Sequence, residues 1–182
     1  MKQFKSSQLL IVAMMSVFVD ISSAMDCKEV FQRKEEIKEC CTAPAVLKMD
    51  DFDECMSKAE GNHHEKFFCG SECMLKAQGL MNGDDVDMDG IKKNAEGLEG
   101  DWKETVLQIV DTCGQKIDAI KAEMEQRGGS KGQCSASAGI LVMCLGNGYI
   151  QSCPAEHFHE SELCNKVKSG ECDKRPKGGH HH

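Results

Sequence analysis

The chain is poor in what builds β-sheets. Runs of Val, Ile, Thr and Tyr are few, and clear period-two alternation is missing, which argues against a β-rich fold. Aromatic residues make up only 5% of the 182 residues, with one Trp and one Tyr. Basic patches are also lacking: the net charge is −8, and a nucleic-acid partner would demand clustered Lys and Arg for its phosphates. Long hydrophobic runs are absent too. The apolar stretch Leu9–Val19 has 11 residues, too short at ~1.5 Å per residue for a core of ~30 Å. The patch from Ala138 to Leu145 is broken by Gly139. No Gly-x-Ser-x-Gly elbow and no nucleophile with an obvious base is present, so the chain is read as a non-enzyme with no membrane span.

What the chain has in excess is cysteine, twelve in all. Lys2 and Lys5, the apolar run, and then Ser22-Ser23-Ala24 read as a secretory signal peptide over residues 1–24, cut between Ala24 and Met25. Residues 25–176 are then one domain, and 177–182 a tail or tag that is set aside. An even cysteine count in a small exported chain predicts a disulfide framework rather than reactive thiols.

Helical periodicity is plain in one place. From Asp101 to Gln126 the apolar residues Trp102, Val106, Ile109, Val110, Cys113, Ile117, Ile120 and Met124 recur at steps of three and four. Asp101 is the expected N-cap with Glu104 completing a box, and Arg127-Gly128-Gly129 the stop. Further helices are expected over 27–41, 50–60, 63–78, from Asp87 or Asp89 to Glu96, over 135–145 and over 156–168. Pro44, Gly128-Gly129, Gly146-Asn147-Gly148 and Pro154 mark connections. The 135–145 helix is apolar on several faces and is expected to be central.

Cys69 and Cys73 are four apart and share a helix face. Their Cβ atoms would lie ~5–6 Å apart, whereas a disulfide needs ~3.8 Å, so each must reach a different segment. Cys40 and Cys41 diverge similarly. Six bridges at ~2–4 kcal/mol each would brace the shell of a fold with few aromatics. They would also let it tolerate an apolar cavity, which costs stability elsewhere.

The joint intervals Cys69-x3-Cys73, x39 to Cys113, Cys134-x9-Cys144, Cys144-x8-Cys153 and the Cys153-Pro154 dipeptide resemble the cysteine signature of insect odorant-binding proteins. The extra Cys134, Cys164 and Cys172 resemble its plus-C branch. The resemblance covers about Cys40 to Cys172. It implies an all-α, disulfide-stapled bundle of about six to eight helices around an apolar cavity. It also implies first–third, second–fifth and fourth–sixth pairing of the core cysteines. Carried onto this chain, that gives Cys73 with Cys40 or Cys41, Cys69–Cys144 and Cys113–Cys153. Cys27, Cys55, Cys134, Cys164, Cys172 and the remaining one of Cys40/Cys41 pair in unknown order.

The function implied is that of a secreted carrier of small hydrophobic molecules, with no cofactor. An olfactory receptor or a second copy of the chain would be further partners. The expected pocket residues are Val106, Val110, Ile117, Ile140, Leu141, Met143 and Leu145, with Phe67, Phe68, Trp102, Tyr149 and Phe158 at its mouth or walls. The competing reading is a secreted interaction or inhibitor domain with the same bridges and a solid core. A secreted phospholipase A2 is a poor fit, because Cys40-Cys41 is followed by Thr42-Ala43-Pro44 rather than a His-Asp pair.

Two motifs have plainer readings. Asp85-x-Asp87-x-Asp89-Gly90-x5-Glu96 matches a calcium loop, but Lys92 occupies its usually apolar position and no second loop exists. A turn and N-cap are expected instead. His63-His64 and His157-x-His159 lack metal-ligand company once the cysteines pair. They are better read as groups whose protonation on acidification would loosen a pocket wall.

Overall fold

The structure, a computed structural model, describes residues 26–126 and 133–173. The proposed signal segment 1–24, the Arg127-Gly128-Gly129 stop and the tail 177–182 lie outside the described residues. Eight α-helices occur among the described residues: α1 Cys27–Gln32, α2 Lys34–Lys38, α3 Phe52–Lys58, α4 His63–Ala77, α5 Met88–Glu96, α6 Gly100–Gln126, α7 Ala136–Gln151 and α8 Glu162–Lys168. A two-residue hairpin, β1 Met81–Asn82 with β2 Asp85–Val86, joins α4 to α5. No helix among the described residues is long and apolar enough to cross a membrane.

Polar residues set the helix starts. Asn62 caps α4 by accepting from the His64 and Glu65 backbone N–H groups, and the Glu65 carboxylate accepts from the Asn62 N–H in return. That capping box was readable as Asn-x-x-Glu. Asp87 caps α5, accepting from the Gly90 N–H at 3.0 Å, so the calcium-like motif is a turn and cap. Its Asp85 pairs with Lys121, and its Lys92 pairs with Asp111 at 2.7 Å. Ser135 caps α7 and Ser161 caps α8.

Several expected boundaries are corrected. The 27–41 helix is broken at Arg33, whose φ of −97° and ψ of 45° end α1 and begin α2. Helix α6 begins at Gly100, so Asp101 lies in its first turn rather than at its cap. Gly100 has φ +61°, a left-handed entry that glycine takes without steric cost.

Helix α7 does not stop at Leu145. It runs through Gly146 and Gly148 to Gln151, and at Gly148 α6 lies too close for a side chain. A Cβ on Gly148 would fall 2.5 Å from Ile109 Cγ2, and one on Gly139 would overlap the Phe68 ring of α4. The helix-propensity cost of glycine, ~1 kcal/mol, is offset by the close approach it permits. The 156–168 helix is also split, into a 3-10 turn Ala155–His157 and α8. Between them the chain is extended and docks on the N-terminal arm. The Thr42 N–H donates to His157 O and the His159 N–H to Cys40 O, both at 3.0 Å.

The main core is built by α4, α5, α6 and α7. Val106, Val110 and Cys113 of α6 meet Met74 and Leu75 of α4, Ile91 and Ala95 of α5, and Ala138, Leu141 and Leu145 of α7. A smaller cluster, Val30 with Leu163, packs α1 against α8.

The disulfides follow this division. Cys55–Cys73, Cys69–Cys134 and Cys113–Cys144 tie the main core, whereas Cys27–Cys172, Cys40–Cys164 and Cys41–Cys153 tie the N-terminal arm to the C-terminal segment. The expected Cys69–Cys144, Cys113–Cys153 and Cys73 with Cys40 or Cys41 are therefore corrected. First–third, second–fifth and fourth–sixth pairing still holds, in a frame beginning at Cys55 and ending at Cys144. The x9 interval, not the x8 interval, separates its last two members. The physical reason is the crossing of α6 and α7, which brings Cys144 to Cys113 and leaves Cys153 beyond the end of α7, against Cys41. As expected, Cys69 and Cys73 reach different segments.

Candidate ligand cleft

The structure divides the twelve expected pocket residues into separate groups. Val106, Val110, Ile117, Leu141 and Leu145 lie together in the main core, each 0–4% exposed. Ile140 is half-buried against the same core. Met143 lies on the outer side of α7, 50% exposed. Phe67 and Phe68 stand edge to face at 5.9 Å on α4, and the Phe68 ring also meets His64 at 4.5 Å. They cover the α4–α7 contact. Phe158 is remote from both, with the Lys168 ammonium 3.9 Å from its ring centroid.

Open space is found elsewhere, in a cleft of about 760 Å³ where the α5–α6 turn faces the segment after α7. Of the twelve residues only Trp102 lines it. Pro44, Leu98, Pro154 and His157 form the rest of its wall, with Glu99, Asp101 and Glu156 among its lining residues. A second, smaller groove of about 400 Å³ continues along α6 and α7, sharing Thr105 and Ser152 with the first. It is lined by Gln108, Thr112, Lys116 and Gln151 among others. Sequence periodicity gave no signal for these residues, because they come from loops and helix ends of three separate segments.

The wall is held in place from behind. Trp102 Nε1 donates to Pro44 O at 2.8 Å, and the Trp102 and Tyr149 rings lie 5.8 Å apart. The Tyr149 hydroxyl accepts from the Val46 N–H at 3.0 Å. These bonds pin the irregular 44–46 segment against α6 and α7. Burial pushes the Tyr149 phenol up to about 12, against a smaller opposing effect of the Val46 N–H.

The folded state therefore keeps the phenolic proton more tightly than the unfolded chain, whose phenol titrates near ~10. The resulting stability is complete below pH ~10 and is lost as pH rises to about 12, an effect of ~2–3 kcal/mol. Tyr149 is the sole tyrosine, so its ultraviolet phenolate signal reports this group alone. Its midpoint is expected near 12 in the native protein and near ~10 in denaturant. Equal midpoints would mean that Tyr149 is not buried behind the cleft.

No group of three or more His, Cys, Asp or Glu is placed to hold a metal ion among the described residues. His157 lines the cleft and is its one basic side chain. His64 and His159 lie away from it.

The molecule is thus a helical bundle braced by six disulfides, three inside its core and three joining its two ends, with a lateral cleft against its only tryptophan. No family model matches the chain. It is 30% identical to the pheromone-binding protein Gp-9 of Solenopsis pusillignis over 132 residues, 68% of this chain and 79% of that one. Gp-9 of Solenopsis geminata is 30% identical over 139 residues, 70% and 83% of the two chains. Odorant-binding protein 47 of Anopheles gambiae is 26% identical over 151 residues, 72% of this chain. The match spans 65% of that mosquito protein's length, just under two thirds. The chain belongs to the insect odorant-binding protein family, and six cysteines beyond the core six fit the plus-C branch.

Proposed function

We propose that the protein is an extracellular, non-enzymatic carrier of small hydrophobic molecules and seats them in the cleft against Trp102. The cleft itself carries this reading. Its volume of about 760 Å³ falls within the ~300–1,000 Å³ typical of small-molecule sites. Trp102, Leu98, Pro44 and Pro154 give a ligand apolar surface, worth ~25 cal/mol per Å² before the costs of binding. Relatives named as odorant- and pheromone-binding proteins support the ligand class. Six disulfides suit an oxidising compartment such as sensillar lymph or another extracellular fluid.

A ligand seated instead among Val106, Val110, Ile117, Leu141 and Leu145 would have to displace side chains already packed together. That costs contacts the open cleft does not demand, so the cleft is preferred.

Trp102 is the sole tryptophan, so its fluorescence reads the cleft directly. Long-chain alcohols, aldehydes and aromatic volatiles are expected to change it saturably at micromolar concentration and to displace a bound apolar dye. Trp102→Ala is expected to weaken that displacement about tenfold, through the lost aromatic surface. Displacement without any change at Trp102 would place the ligand in the core. Failure of the fully oxidised protein to bind any of them would favour a closed protein-interaction domain.

A further inference from the structure

We infer that the cleft selects protonated amines with an apolar body over neutral or anionic molecules of the same shape. This inference rests on the carrier reading and names the ligand class of that site. Three carboxylates, Glu99, Asp101 and Glu156, line the cleft together with the indole of Trp102. Lys and Arg are absent from that lining. None of the three carboxylates has an ion-pair partner among the described residues. They present uncompensated negative charge around an apolar floor.

The indole strengthens the same preference. Its N–H is already spent on Pro44 O at 2.8 Å, so it has no donor left for a carboxylate or hydroxyl ligand. What remains to it is ring surface in the cleft lining, and an indole ring attracts a cation lying within ~6 Å of its centroid. Two features pull the other way: the basic side chain of His157 shares the lining, and a helix starts there. The first turn of α6 starts at Gly100, and a helix N-terminus carries roughly half a positive charge. Three carboxylate charges, one of them Asp101 in that turn, outweigh that half charge and a single imidazole together. An ammonium therefore gains both the carboxylates and the ring, whereas an anion meets the carboxylates as repulsion.

The test compares phenethylammonium, phenethyl alcohol and phenylacetate, matched in size, on the oxidised full chain by calorimetry and Trp102 fluorescence. Exposed carboxylates are individually weak and screened, so each is expected to contribute about two- to three-fold, and the ammonium to bind about tenfold tighter than the alcohol. Phenylacetate is expected to bind weakest. The triple variant Glu99→Gln, Asp101→Asn, Glu156→Gln is expected to remove the roughly tenfold advantage of the ammonium over the alcohol. Raising the salt concentration should act in the same direction.

Should the triple variant fold poorly, Glu99→Gln and Glu156→Gln alone, both at exposed positions, are each expected to weaken the ammonium by about two- to three-fold. Alcohol binding that equals or exceeds ammonium binding would overturn the amine preference and leave the carrier reading standing. If none of the three binds, both fall.

Discussion

Replacing Cys113 and Cys144 together by alanine is expected to lower the unfolding free energy by about 3–5 kcal/mol. The bridge spans a sequence separation of 31, and releasing a loop of that size in the unfolded chain accounts for ~3–4 kcal/mol. The remainder is packing, because Cys113 is fully buried within the main core and its sulfur fills space between α6 and α7. The same pair of changes at Cys40 and Cys164 is expected to cost only about 3 kcal/mol, not the ~5 kcal/mol that a separation near 124 would suggest. Cys41–Cys153 already closes almost the same ring. What the outer bridge adds is the eleven-residue step from Cys153 to Cys164 and the single step from Cys40 to Cys41. Denaturant unfolding of the two double variants under non-oxidising-exchange conditions measures both. A larger loss at Cys40–Cys164 would show that the N-terminal arm, not the α6–α7 contact, dominates stability.

Leu141→Ala is expected to destabilise the protein by about 3–5 kcal/mol, whereas Met143→Ala, two residues along the same helix, should change stability by less than ~0.5 kcal/mol. Leu141 is wholly buried in the main core and Met143 is 50% exposed. Both were expected from sequence to line one pocket, so the contrast also tests where a ligand can sit. Leu141 would contact a ligand only if the core held open space beside it, and a small loss on truncating it would be the sign of such space. The expected large loss belongs to a side chain surrounded by protein on all sides.

What was legible in the sequence was local. The α6 stripe is an i, i+3, i+4 pattern, and Val106, Val110, Cys113 and Ile117 are buried as that pattern requires. A cap at Asp87 or Asp89 was legible as an acidic residue opening a short helix, and the structure places it at Asp87. The divergence of Cys69 from Cys73 followed from helix geometry. The failures involved distant chain segments. The Cys134–Cys144 and Cys144–Cys153 intervals differ by one residue, so spacing could not choose the frame of the core six. Gly146 and Gly148 read as a turn because glycine is a poor helix former, yet the approach of Ile109 makes Gly148 a packing requirement.

The candidate site was the least legible part. Of the twelve expected residues Trp102 alone lines the 760 Å³ cleft, with Tyr149 packed behind it. A hydrophobic residue on a periodic face announces burial, and burial in a filled core looks the same in sequence as burial around a cavity. Pro44, Glu99 and Pro154 sit in connections that carry no periodicity at all.

By itself the sequence determined the helical class, the disulfide framework, most helix starts and the family, because periodicity, capping and cysteine intervals are properties of short stretches of chain. Only the tertiary structure decided which cysteines meet, which helices the stripe of α6 packs against, and where the lateral cleft lies. Each of those depends on how helices far apart in the chain cross, and the distance of closest approach is set by side chains on both partners at once.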